Sequence, residues 1–213
     1  MEGVSNIDYM HDTASERPNS LRLFQIASDQ HGYFTTAQAR ASGFRSNLLA
    51  HHVRTGRFQR VGIGIYRIRD YPASPYEEVV AAWLAAGKET AVISHESALD
   101  LLDLSNAIPD AVHLTVPRTR RYRSGPPGVV IHTTTRPLQP SDVVTRHGIR
   151  ITSPLRSILD AASTGTAPEQ IELAIDQALR RGLLDRHELL AAAAERNGRV
   201  KRLVHGVLDH TPI

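Results

Sequence analysis

The chain has 213 residues, of which 41% are hydrophobic, with a formal net charge of +3 and no cysteine. That length suits one or two domains, each able to bury its own core. The absence of cysteine excludes disulfides, thiolate catalysis and Cys-ligated zinc, and no apolar run approaches the roughly 18 residues of a membrane helix. The first residues, MEGVSNIDYMHDTASERPNS, have neither the basic start nor the apolar stretch of a signal peptide, so a cytoplasmic location is the default expectation.

The overall charge conceals an asymmetry. Arg17 to Arg69 holds nine arginines against one acid, Asp29, whereas the chain from Asp70 onward carries 16 basic and 17 acidic residues. Positive charge concentrated in one short segment is the footprint of a polyanion partner. A solvated basic surface is the alternative on charge alone.

Residues 1–18 are polar and aperiodic and read as a tail. Leu21, Phe24 and Ile26–Ala27 recur at helical spacing after Ser20, a fitting N-cap, and before Gly32, a fitting stop. Thr35 caps a second short helix, TAQARAS, ended by Gly43. A third helix starts at Arg45 or Ser46 and runs to Thr55, with Gly56 closing it. RFQRV and IYRI, on either side of GIG, read as a hairpin. Three helices and a hairpin in about 50 residues describe a winged helix-turn-helix over 19–70, which straddles a DNA groove and its phosphates. Residues 71–75 belong to DYPASP, whose two prolines make it the linker.

Residues 76–213 form a larger, helix-rich α+β domain. YEEVVAAWLAAG reads as a helix, and Ser94 precedes another, HESALDLLDL. AVHLTVP and GVVIHTTT alternate like strands, and the basic RTRRYRSGPP between them reads as a hairpin loop. GIRIT is a short strand, after which Ser153 caps a helix with Pro154 at its first position. PEQIELAIDQALRRGLL and DRHELLAAAAERNG are two further helices, the second opened by Asp185 with Glu188 in capping-box spacing.

The stretch GYFTTAQARASGFRSNLLAHHVRTGRFQRVGIGIYRI resembles the N-terminal domain of the AbiEi-family antitoxins of type IV toxin–antitoxin systems. The likeness is carried in order by Gly32–Tyr33, Thr35, Gln38–Ala39, Gly43, Gly56–Arg57–Phe58 and Gly64–Ile65–Tyr66. ISHESAL, HLTVP and GIRITSPLRSILDAA extend it over about 20–210. The resemblance implies an antitoxin that binds double-stranded promoter DNA, represses its own operon and counters a nucleotidyltransferase-like toxin. One departure is Ile63, where many relatives carry Arg between the wing glycines.

On the third helix, Leu49 and Val53 should face the core, leaving Ser46, Asn47, Ala50, His51 and Arg54 outward. Asn pairs bidentately with adenine and Arg with guanine; Ser46 and His51 suit phosphates or single base edges. Arg45, Arg57, Arg60 and Arg67 are candidate phosphate contacts, with a solvated surface the competing role for the wing arginines. In the second domain Arg118, Arg120, Arg121 and Arg123, with Tyr122 for stacking, could meet nucleic acid or an acidic toxin surface. His51 and His52 point about 100° apart on a helix and cannot share one ion as an i, i+4 pair can, so no metal and no cofactor are expected. Neither lysine, Lys88 or Lys201, sits in a nuclease-like Glu-x-Lys, and there is no phosphate loop, so no enzyme is expected. Asp160 and Glu172 read as helix caps and solvated faces. A plain winged-helix repressor, whose second domain senses a ligand or dimerises, is the alternative; in a third reading the basic segment is incidental.

Overall fold

The computed structural model describes residues 17–106, 108–119 and 127–210. The tail over 1–16 and the candidates Arg120, Arg121, Tyr122 and Arg123 lie outside the described residues. The fold is α+β throughout, with helices dominating.

The N-terminal part runs α1 (Ser20–Ser28), β1 (Tyr33–Thr35), α2 (Thr36–Ala41), α3 (Ser46–Arg54), β2 (Phe58–Gly62) and β3 (Ile65–Ile68). Asn19, not Ser20, caps α1, its side chain accepting the Arg22 N–H at 2.8 Å. The buried face of α1 is Leu23 and Ala27, an i, i+4 pair, whereas Leu21 and Phe24 are exposed, so the expected apolar stripe is misplaced. Thr35 caps α2 as expected, in a reciprocal capping box with Gln38. The hairpin gains a third strand: β1 pairs antiparallel with β3, Phe34 opposite Tyr66, giving the order β1-β3-β2. Leu23, Ala27, Phe34, Ala39, Phe44, Leu49 and Phe58 form the core beneath the three helices. Phe34 and Phe58 meet edge to face, ring centroids 4.9 Å apart, the arrangement that aromatic quadrupoles favour.

The larger part contains α4 (Glu77–Ala86), β4 (Val92–Ile93), α5 (His95–Leu101), β5 (Val112–Pro117), β6 (Val129–Thr134), β7 (Val143–Arg146) and β8 (Ile149–Thr152). Four helices follow, α6 (Pro154–Thr164), α7 (Pro168–Arg180), α8 (Arg186–Ala194) and α9 (Gly198–His210). Among the described residues the strands form one mixed sheet in the order β6-β5-β4-β8-β7. The expected hairpin across RTRRYRSGPP is corrected here. β5 and β6 run parallel, Val112 opposite Val129 through Pro117 opposite Thr134, which a two-stranded hairpin cannot give. Ser153 and Pro154 start α6 as read, and Asp185 accepts the His187 and Glu188 N–H groups at the start of α8.

The two parts are packed together. Tyr33 and Ile65 of the three-stranded sheet belong to the larger core, with Val80, Trp83 and Leu84 of α4. Polar contacts reinforce the seam: Lys88 Nζ donates to Gln30 Oε1 at 2.7 Å, and a His31 ring nitrogen lies 2.8 Å from the His147 carbonyl oxygen.

Candidate nucleic-acid interface

Only Leu49 of α3 is fully buried; Val53 and Leu48 pack partly against the small core. A nine-residue helix with one buried anchor presents most of its circumference to solvent. Arg45, Ser46, Asn47, Ala50, His51 and Arg54 are all exposed, as are Arg57 and Arg60. Arg45 occupies the N-cap position and its side chain makes no cap hydrogen bond, so the cap itself supplies no oxygen to the first turn. Asn47 Oδ1 accepts the neighbouring Leu48 N–H at 2.8 Å, and an Arg54 guanidinium nitrogen lies 3.4 Å from His51 Nδ1. Among the described residues no ion pair engages Arg45, Arg54, Arg57 or Arg60. Their charge is therefore not neutralised by any ion pair among the described residues.

His52 is turned the other way, its ring 5.1 Å from Phe58 and 5.7 Å from Phe44 between centroids. Burial, then Arg57 and His51 nearby, holds its pKa below the ordinary histidine value. It is a packing residue against the small aromatic core.

Arg67 corrects the expected set. It is 9% exposed, and its guanidinium lies 2.9 Å from Glu77. The same Nη2 donates to the Tyr71 and Pro72 carbonyls at 2.8 and 3.1 Å. The β alternation explains it: Ile65 and Arg67 share the face of β3 turned toward α4, so Arg67 points into the junction rather than at a phosphate. Arg67 is a structural cation.

At the wing tip, Ile63 is 93% exposed between Gly62 and Gly64. With Val61 and Ile65 it borders an apolar groove of about 750 Å³, whose other wall includes Ala81, Ala82 and Ala85 of α4. Arg60, whose Nε donates to the Gly62 carbonyl at 3.3 Å, is the exposed cation nearest that tip. Arg118, at the end of β5, is exposed.

A second constellation was not read from the sequence. His95, His113 and His132 bring one ring nitrogen each to within 4.8 Å of the others. His113 and His132 lie on the same face of adjacent parallel strands, and His113 Nδ1 is 3.1 Å from His132 Nε2. The His95 ring stacks on His132 with centroids 3.5 Å apart. Burial, with the neighbouring imidazoles and then Arg156 and Arg196, pushes His95 down to about 3. Burial is likewise the first cause for His113 and His132, both lowered. Asp160 stands nearby, not solvated as expected but 5% exposed, held by Arg156 at 2.6 Å and Arg196 at 3.0 Å. The signal in the sequence was one histidine in each of ISHESAL, HLTVP and VIHTTT. Sequence spacing hides it, because only the parallel pairing of β5 and β6 brings them together.

The model of the family described as "Transcriptional regulator, AbiEi antitoxin" matches residues 21–69. The N-terminal module is similar to the AbiEi antitoxin family over those residues. The matched span covers α1 through β3 and so contains every exposed residue of the basic face described above. No curated protein matches the sequence. Among solved structures, the RV2827C protein from Mycobacterium tuberculosis is similar with a TM-score of 0.59 and 14% identity, over 88% of this chain and 74% of that one. At that identity the likeness concerns the fold alone, and it extends past the AbiEi-matched module into the larger part. No helix among the described residues is long and apolar enough to cross a membrane.

Proposed function

We propose that the chain is the antitoxin of a type IV toxin–antitoxin pair and that its winged helix binds the promoter of its own operon as a repressor. The observation that carries the DNA half is the exposed, unpaired set Arg45, Arg54, Arg57 and Arg60 around the solvent face of α3, within the span matched to a transcriptional regulator family. Such a face supplies phosphate charge from the arginines and base contact from Asn47 and Arg54. The antitoxin half is supported by the family's description, and the larger α+β part is the module assigned to countering a nucleotidyltransferase-like toxin.

The test has two arms. Binding to the upstream promoter duplex is measured between 50 and 200 mM salt; neutralising about six phosphates costs about three decades of affinity over that range, and a flat response removes DNA from the reading. Co-expression with a nucleotidyltransferase-like toxin gene from the neighbouring reading frame, where that frame encodes one, is scored by growth. Rescue supports the antitoxin role; repression without rescue leaves a plain winged-helix repressor.

A further inference from the structure

We propose that His95, His113 and His132 form a binding site for one divalent transition-metal ion of the zinc class. Three imidazoles from three elements, α5, β5 and β6, converge on one point. A tetrahedral zinc with Zn–N bonds of about 2.0–2.1 Å sets its ligand nitrogens about 3.4 Å apart. His113 Nδ1 and His132 Nε2 already stand at 3.1 Å. The ligand nitrogens of all three lie within 4.8 Å of one another, so reaching that spacing takes a closure of at most about 1.4 Å between any pair.

The surroundings favour an all-nitrogen site. His95 Nδ1 is 2.8 Å from Ser94 Oγ, which also accepts from Thr115 Oγ1 at 2.8 Å. With its Nδ1–H donated to that hydroxyl, His95 presents Nε2 as the ligand, the usual outer-shell device for fixing a metal-binding tautomer. The nearby carboxylates are engaged elsewhere: Asp160 with Arg156 and Arg196, and Glu96 with the Thr166 hydroxyl at 2.7 Å. Imidazole-only donor sets suit zinc, copper and nickel rather than magnesium or calcium. Three protein ligands leave a fourth position for water or an anion.

The backbone at His95 is a second, independent observation. His95 has φ +55°, in the left-handed region, at the buried β4–α5 junction. A non-glycine residue held there costs on the order of 1–3 kcal/mol and concentrates at functional sites. That conformation accompanies the stacking of the His95 ring on His132, centroids 3.5 Å apart.

The test uses the full chain, stripped with a chelator and titrated with Zn²⁺ against a chromophoric competitor, then with Co²⁺ as a spectroscopic probe. One equivalent of zinc bound, with a tetrahedral nitrogen-ligated Co²⁺ spectrum, is the expected result. His113→Ala and His132→Ala, each checked for folding by circular dichroism, should weaken binding by more than about 100-fold, the upper range for losing a mere outer-shell partner. Ser94→Ala should weaken it by about 10-fold, and His51→Ala/His52→Ala should leave it unchanged. Should the strand variants fail to fold, Co²⁺-induced shifts of the three imidazole signals in the unsubstituted protein decide the matter. No stoichiometric zinc, binding that survives loss of His113 and His132, or unshifted imidazole signals would overturn the proposal.

Discussion

The Arg67 guanidinium lies 2.9 Å from the Glu77 carboxylate and ties the last wing strand to the helix that opens the larger half. Arg67 also holds the Tyr71 and Pro72 carbonyls, while Glu77 receives the Ser74 N–H and the Tyr33 hydroxyl at 3.2 Å each. The prolines at 72 and 75 lie between β3 and α4, and this ion pair spans that connection. Among the described residues Arg67 Nε has no hydrogen-bond partner, so the site is already slightly under-satisfied. Removing Glu77 leaves a buried guanidinium with carbonyls only, and Glu77→Gln should cost about 1–2 kcal/mol in urea unfolding. Arg67→Gln should also destabilise, yet leave the salt slope of DNA binding unchanged. A shallower slope would return Arg67 to the phosphate contacts.

The same junction sets a response to alkali. Burial, then the Glu77 charge and hydrogen bond, raises Tyr33 from 10.0 to about 12. The folded chain keeps the phenolic proton where the unfolded chain has lost it. Stability from this group is thus complete below pH 10 and disappears as pH climbs to about 12. The loss amounts to about 2–3 kcal/mol at 1.36 kcal/mol per pKa unit. Unfolding free energies of the parent and Tyr33→Phe, compared across that window, should converge by this amount. A constant difference would mean that Tyr33 ionises as readily folded as unfolded.

Local signals were legible wherever one residue decides the geometry. Thr35 before α2, Gly56 after α3, and Ser153–Pro154 before α6 each specify a cap or a stop, and each stands where the sequence placed it. The outward face of α3 was legible for the same reason, since Leu49 fixes the helix's rotation. What stayed hidden is long-range. β1 is three residues, Tyr33–Thr35, too short for alternation to show, and it exists because β3 has a free edge. The parallel pairing of β5 and β6 contradicts the hairpin that a short Gly/Pro loop implies, and the histidine cluster depends on it. Arg67 was misjudged because charge counting does not reveal which strand face meets α4.

Gly148 tests how tightly the halves are joined. It sits in the β7–β8 turn at φ +75° beside His147 at φ +51°, and a Cβ there would come within 2.9 Å of the Asp29 carbonyl oxygen. Alanine meets backbone strain and a main-chain atom that cannot step aside. Gly148→Ala should lower stability by about 1–3 kcal/mol. It should also raise amide exchange around Asp29–Gln30, on the N-terminal side of the seam. Loss confined to the β7–β8 turn would show that the seam yields without consequence.

The division of labour can be probed on the basic face itself. Arg54, Arg57 and Arg60 are exposed and unpaired, so reversing them removes no buried contact and should change stability by less than about 0.5 kcal/mol. Arg54→Glu/Arg57→Glu/Arg60→Glu converts three attractions for phosphate into three repulsions, and operator affinity should fall by at least about 100-fold near physiological salt. Repression of a promoter fusion should be lost. Rescue from toxin supplied by a separate promoter should persist, because the three side chains are exposed on the N-terminal part and outside the larger core. The packed seam makes this a demanding test, since Tyr33 and Ile65 belong to the larger core and couple the wing to it. If rescue disappears while circular dichroism and thermal midpoint stay unchanged, the basic face serves both tasks, and the toxin is countered through the same surface that holds DNA.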